Sequence, residues 1–321
     1  MKELRIEKND SEQRLDRFLK KYLQDASTGF IYKMIRKKNI KVNDKKATPE
    51  MIVVEGDLVQ LFLSDETIEK FKGKKQIRKS KLKPSILYED DNIMLINKAV
   101  GLLSHGTGQE FEENVVDSMI MYLIEKGDYV PRIEKTFTPS ICNRLDRNTS
   151  GIIIGAKNYD ALKAMNQAIK EGKVNKYYKT IVKGNIKADF QDTAYLTKDE
   201  DRNKVTIWDE EDEGTKEITT KFKVLKNKDG YTLLEVELIT GRTHQIRSHL
   251  RALGYYVIGD RKYGDKSIND RFNNEYGLDN QYLHGYRLEF NGLEAPLEYL
   301  NGKEFIAPAG KMMENIEKNL F

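Results

Sequence analysis

Near the start of the chain, SEQRLDRFLKKYL places Leu15, Phe18, Leu19 and Tyr22 on one stripe of a helix, with Ser11 positioned as an N-cap. After DASTG, which offers Ser and Thr caps, FIYKMIRKKN predicts a second short helix. Ile31, Met34 and Ile35 face inward there, and Lys33, Arg36 and Lys37 face outward as a basic surface. The period then shortens. IKVND reads as a strand and turn, and MIVVEGDLVQLFL as two short strands about a Gly56-Asp57 turn. Together these elements predict a compact α/β unit over residues 1–64.

The next segment, KFKGKKQIRKSKLK (70–83), has eight Lys/Arg, no acid and hardly any apolar periodicity, so residues 65–83 are expected to form a basic, flexible linker. Beyond Pro84 the texture becomes that of apolar strands. Ile86–Tyr88 and Ile93–Ile96 flank the acidic turn EDDN, and a second unit is expected over 84–321. Within it, Gly151 and Ile152–Ile154 predict a buried strand entered from the loop NRLDRNT. VNKYYKTIVKG alternates as a strand with one buried face, on which Tyr178 sits beside Lys176. LLEVELITGRTHQIRSHLRALG predicts a strand, a turn at Gly241, a cap at Thr243, and a helix ended by Gly254 with Ile246, Leu250 and Leu253 inward.

Charge divides unevenly along this frame. Residues 1–83 hold 22 Lys/Arg against 13 Asp/Glu, a balance of +9, and the remainder holds 33 against 38, a balance of −5. Such a split suggests that the front quarter meets a polyanion, although solvated surface charge gives the same count. One cysteine and four histidines supply no disulfide framework and no metal-ligand spacing, so no structural metal is expected, and Cys142 reads as a small core residue. No apolar run is long enough to span a bilayer, and MKELRIEKND lacks the core of a secretory signal. The expected address is the cytoplasm.

Asp146 stands between Arg144 and Arg147 in a loop feeding a core strand. Burial disfavours a charged carboxylate and a nearby guanidinium favours it. Spacing alone leaves both a structural ion pair and a reactive carboxylate open. Tyr178 is open in the same way, as a core ring or as a surface on which a base can stack. On the last helix His244, Arg247 and Arg251 share a face. Two arginines at i, i+4 repel unless anions stand opposite them, and a buried Asp or RNA phosphates would serve.

Two resemblances sharpen these readings. RLDRFL, the basic second helix, IKVN and EGDLV are similar to the small RNA-binding domain named after ribosomal protein S4. That likeness implies RNA contacts at Arg14, Lys33, Arg36 and Lys37. NRLDRNTSG, NKYYKTIVKG and GRTHQIRSH, in this order, resemble the HRLDxxTSG, KxYxAxVxG and GRxHQIRxH elements of the RluA-type pseudouridine synthases, with flanking similarity over most of residues 84–310. The resemblance implies a cofactor-free isomerisation. Asp146 would attack the target uridine at ring carbon six or at the anomeric carbon, and Arg247 would pair with it, its removal costing about 3–5 kcal/mol. Arg144 would enter the stack left by the flipped base, and Tyr178 would pack on that base. Lys176 and Arg251 are further candidate RNA contacts. The chain departs from the pattern at Asn143 for His, Ala99 for Pro and Gly285 for Ala; His105, His249 and His284 read as hydrogen-bonded structural groups.

The implied fold is α+β: an S4-like unit, a linker, and a catalytic domain on a mixed, mainly antiparallel sheet with its site in a cleft on one face. The implied function is a pseudouridine synthase for large-subunit (23S) ribosomal RNA, acting as a monomer. A transfer-RNA synthase, a non-catalytic RNA-binding assembly factor and a base-excising glycosidase are the alternatives, the last needing a second carboxylic acid.

Overall fold

The structure, a computed structural model, describes residues 1–73, 79–106, 112–131 and 136–321. The front unit contains β1 (Lys2–Arg5), β2 (Gln13–Arg14), α1 (Leu15–Tyr22), α2 (Thr28–Arg36), β3 (Ile40–Val42), β4 (Lys45–Lys46), β5 (Ile52–Val53), β6 (Leu58–Leu61) and α3 (Asp65–Phe71). One core of its own joins Leu4 to Ile68. The predicted stripes of α1 and α2 are the buried ones.

Three details differ from expectation. Helix α1 begins at Leu15 rather than after Ser11, because its first free N–H groups find main-chain acceptors: Leu15 N donates to Met51 O (2.7 Å) and Asp16 N to Pro49 O (3.0 Å). Ser11 instead closes the turn at Lys8 O (2.8 Å). The strands on either side of Gly56 do not form a hairpin; β5 pairs with β2, and β6 pairs with β1 and β3. Residues 65–71, expected as linker, form α3, capped by Ser64 and held by buried Ile68 and the Phe30–Phe71 ring contact (4.6 Å). The linker residues 74–78 lie outside the described residues. Beyond them, Ser80 donates to Glu113 and so does Lys81 N (3.0 Å), which ties the chain down again.

The larger unit contains β7 (Ile86–Glu89), β8 (Ile93–Lys98), α4 (Val115–Lys126), β9 (Ser140–Ile141), β10 (Ser150–Ala156), α5 (Tyr159–Lys170), β11 (Val174–Lys183), β12 (Phe190–Asp199), β13 (Lys204–Trp208), β14 (Lys216–Lys228), β15 (Tyr231–Leu238), α6 (Gln245–Ala252), β16 (Tyr256–Val257), α7 (Lys266–Tyr276), β17 (Leu283–Phe290), β18 (Glu304–Ile306) and α8 (Lys311–Leu320). Its sheet runs β13-β12-β14-β15-β11-β17-β10-β8-β7, with β9, β16 and β18 attached. The β10–β17 pair is parallel and the rest antiparallel, which is the mixed α+β sheet expected.

Helices cover both faces. Ile153, Tyr178, Val182 and Val236 point to the face packed by α4 and α6. Ile152 and Ile154 point to the opposite face, against α5, as do Ile181 and Leu233, against α7 and α8. Strand β11 therefore buries Ile181 as well as Val182, where alternation predicts one buried face. Among the described residues, no helix is long and apolar enough to cross a membrane.

The close approach of the parallel pair depends on one glycine. Gly151 has φ +125°, and a Cβ there would lie 2.2 Å from Gly285 O and 2.5 Å from Gly285 N. No side chain fits between the two strands. Gly151→Ala is expected to destabilise the protein by about 2–4 kcal/mol, the sum of strain and overpacking, read as a lower urea midpoint at unchanged slope.

Candidate active site

Asp146 lies on the turn just before β10. Thr149 N donates to Asp146 O (3.0 Å), and Ser104 brackets the preceding residue, accepting from Leu145 N (3.0 Å) and donating to Leu145 O (2.7 Å). Asn143, standing where the family pattern has His, stitches the loop to the strand: its side chain donates to Ile152 O (3.1 Å) and accepts from Ile154 N (2.8 Å). That departure is a main-chain bridge. The Asp146 side chain remains one-quarter exposed, in a cleft of about 860 Å³.

Helix α6 brings Arg247 to the same point. Its start is set differently from expectation, for His244 rather than Thr243 precedes the helix, at φ 55° and without a side-chain cap bond. The Gln245 side chain reaches back instead, accepting from Arg242 N (3.0 Å) and Thr240 Oγ1 (3.0 Å). Arg247 is 7% exposed, and its NH1 donates to Asp146 Oδ2 at 2.9 Å.

Its stronger partner is one the sequence reading missed. Nε donates to Asp260 Oδ2 (2.6 Å) and NH2 to Asp260 Oδ1 (2.9 Å), a bidentate pair with no solvent contact on the Asp260 side chain. Burial alone would weaken the Arg247 charge, but Asp260 and then Asp146 more than offset it, and the guanidinium is held more firmly charged than usual. Burial likewise opposes the Asp260 charge; Arg247 and the N–H groups of Tyr263 and Lys262 overcome it, and the carboxyl lies below its ordinary range. The anion demanded by two arginines on one helix face is thus an aspartate 13 residues onward, in the turn IGDRKYG. An acid flanked by glycines in a tight turn was the available signal.

Lys98 was also missed. It is 1% exposed, and its Nζ donates to Ala99 O (3.0 Å), Leu102 O (2.7 Å) and Arg147 O (2.8 Å). The ammonium therefore ties the segment after β8 to the loop that carries Asp146. Burial pushes its pKa down to about 7; the Asp146 charge opposes that shift, and the three carbonyl dipoles favour the ammonium form. Arg147, adjoining, holds Gly101 O (3.2 Å) and Glu112 (3.1 Å).

Tyr178 is buried on the cleft wall beside Leu283. Burial and then the Asp146 charge push its phenol up, so it stays protonated. A Cβ on Gly285 would come within 3.1 Å of its ring, so glycine leaves the tyrosine room. His244 Nδ1 shares a hydrogen bond with the Tyr263 hydroxyl (2.9 Å), which also accepts from Val205 N, and His244 Nε2 lies 3.9 Å from Asp146. Burial lowers the His244 pKa and leaves the ring neutral.

Arg144 is exposed at the cleft, Lys176 lines it with its amine lowered by burial, and Arg242 and Lys198 join them on the rim. Arg251 does not line the cleft; its NH1 donates to Tyr263 O at 3.4 Å. On the front unit, Lys33 and Arg36 line a second hollow with Tyr32 and Lys46, while Lys37 lies outside it. Arg14 lines neither hollow but stands beside the second, bound to Asp16 (3.1 and 2.7 Å), which also accepts from the Tyr32 hydroxyl (2.8 Å). His249 and His284 are buried and bonded, to Asp192 and Thr220, and to Ser150 and Ala307 O respectively. His105 is exposed at the cleft, bonded to Gly106 O. Cys142 is half-buried, its thiol pushed up to about 12 by burial.

The sequence pattern of the RNA pseudouridylate synthases matches residues 92–252, half of the chain and all of the strand and loop segments that place Asp146, Tyr178 and Arg247. The chain belongs to this family. The S4 domain pattern matches residues 13–59. Ribosomal large subunit pseudouridine synthase C of Vibrio vulnificus is 30% identical over 321 residues, covering 98% of this chain and 95% of that one. The D enzyme of Borreliella burgdorferi is 30% identical over 84% of this chain and 81% of its own. Among solved structures, human RNA pseudouridylate synthase domain containing 4 shares the fold, with TM-score 0.57 and 20% identity over 74% of this chain and 92% of that chain. This RNA pseudouridylate synthase is an isomerase that acts on uridine in RNA.

The Lys98 cage gives a direct test of what holds the loop. Lys98→Met is expected to leave buried carbonyls unpaired and to lower stability by about 2–3 kcal/mol, measured by urea denaturation of the purified protein.

Proposed function

We propose that this enzyme converts defined uridines of large-subunit ribosomal RNA into pseudouridine, with Asp146 as the attacking carboxylate. The observation that carries the reading is a partly exposed carboxylate on the cleft floor, oriented by one N–H of a buried arginine. Attack at ring carbon six or at the anomeric carbon leads to the same balance: the N1–C1′ bond breaks, the uracil turns, the C5–C1′ bond forms, N1 gains a proton and carbon five loses one. Tyr178 packs on the turning base, and Arg144 takes its place in the RNA stack. Lys176 contacts the adjoining backbone. None of these steps asks for a metal or a cofactor.

Support for a ribosomal substrate comes from the relatives named for the large subunit and from the S4 domain in front of the catalytic unit. We read the chain as an RNA-holding unit that ends with α3, a basic segment from there to residue 83 and a catalytic unit over 84–321, working as a monomer in the cytoplasm. Lys33 and Arg36 around the second hollow hold phosphates, with Lys37 and Arg14 at its edges and Arg251 beyond the cleft. Among the described residues, Asp146 is the one carboxylate that lines the cleft, and Asp260 beside it is fully buried and bound on both oxygens, so these residues offer no second acid for glycosidase chemistry.

Pseudouridine mapping by carbodiimide adduct and primer extension is the test, in cells lacking the protein and rescued by wild type or Asp146→Asn. The expected outcome is the loss of defined large-subunit stops, restored by wild type alone. Stops lost only from transfer RNA would move the substrate, and restoration by Asp146→Asn would remove that residue from its role.

A further inference from the structure

Arg247 contacts two carboxylates unequally. Asp260 takes Nε and NH2 in a bidentate grip, and Asp146 receives a single N–H from NH1. The Asp260 carboxylate is itself rigid: Oδ1 accepts from Lys262 N (2.9 Å) and Tyr263 N (2.9 Å) as well as from Arg247. The turn beneath it is pinned by Asn269 of α7, whose side chain donates to Asp260 O (2.9 Å) and accepts from Gly259 N (2.7 Å). No neighbouring backbone leaves room for drift; a Cβ on Gly264 would meet Asp260 O at 2.4 Å, and one on Gly259 would meet Asn280 O at 2.1 Å. The face of the Tyr263 ring lies 5.1 Å from the guanidinium carbon.

A guanidinium is planar with fixed N–H directions, so gripping one edge fixes the direction of the remaining donor. If Arg247 had Asp146 as its only anion, the best-paired state would be bidentate between those two. Both Asp146 oxygens would then be occupied and the full charge of the arginine would rest on the carboxylate that has to react. Asp260 prevents that arrangement by holding the Nε edge.

Resting on the reading that Asp146 is the attacking group, we propose that Asp260 is a positioning residue for the isomerisation: it holds Arg247 by one edge, so that Asp146 is aimed by a single N–H and keeps its other oxygen free. Asn269 supports that grip from α7. Neither residue lines the cleft, so their loss acts on the chemical step and leaves binding in place.

The test is steady-state tritium release from RNA carrying carbon-five-labelled uridine, prepared from cells lacking the protein, with wild type, Asp260→Asn, Asn269→Ala and Asp146→Asn side by side. Asp260→Asn places an amide against the Nε edge, and kcat is expected to fall about 100-fold, the scale of a misplaced catalytic group, with KM for RNA within about threefold. Asn269→Ala, which removes no charge, is expected to lose about 3- to 10-fold in kcat at the same KM. Wild-type kcat in folded Asp260→Asn, or a rise in KM with kcat kept, overturns the proposal. If Asp260→Asn fails to fold, Asn269→Ala decides alone: a kcat loss at constant KM supports the grip, and wild-type kcat sinks it. Asp146→Asn separates the two levels, because activity in that variant would refute the reading of the attacking group whatever Asp260 does.

Discussion

A charged guanidinium with almost no solvent contact is tolerable only where carboxylates replace the water it has lost, and Arg247 meets that condition with two. Much of the catalytic unit is arranged around this requirement. Asp260 must be buried and aligned, so the turn after β16 is packed tightly and tied to α7. Asp146 must arrive from the opposite side, so the loop before β10 is held to β8 by Lys98 and to the strand by Asn143. Three segments far apart in the chain meet at one planar group. Loosening any of them leaves a buried charge short of a partner, which ties the fold's stability to the geometry of the cleft.

The sheet supplies the fixed reference for that meeting. Strands β10 and β17 approach as closely as Gly151 allows, and β11 carries Tyr178 between β17 and β15. Because both faces of the sheet are packed by helices, the strand ends cannot tilt independently. Side chains projecting from those ends, or from the loops just beyond them, inherit this rigidity. Gly285 answers the same shortage of space, since a methyl group there would press on the Tyr178 ring that shapes the cleft wall.

Where local chemistry dictates structure, the sequence is informative. The apolar stripes of α1, α2 and α6, the turn at Gly56 and the buried run after Asp146 follow from periodicity and glycine placement. Ser11 and Thr243 do not cap the helices that local pattern assigns to them, and the reason is physical: the main-chain carbonyls of Pro49 and Met51 take the first N–H groups of α1, and that of Arg242 takes the Gln245 N–H of α6. The Arg247 pairing with Asp146 is legible only through resemblance to a family, and Asp260 and Lys98 not even then. A buried ion pair and a carbonyl cage are long-range facts: the glycines around Asp260 mark a tight turn without naming its partner, and no local pattern distinguishes Lys98 from the many solvated lysines of this chain.

The division of charge between the two halves takes on meaning at the junction between them. The front unit does not hang free: Asn9 accepts from Tyr159 N (3.1 Å), Asp10 accepts from Thr136 N (2.9 Å), and Glu12 meets Lys163 (3.3 Å). These contacts commit acids of the front unit to the catalytic unit, at the α5 end of β10 and away from Asp146. Lys33 and Arg36 of α2 and Lys37 just after it are exposed, so positive charge of the front unit is turned to solvent there. A basic surface fixed to the catalytic unit by such contacts does more than raise affinity. On the function proposed above, in which this surface holds RNA by its phosphates, those contacts would set the orientation from which a uridine reaches the cleft.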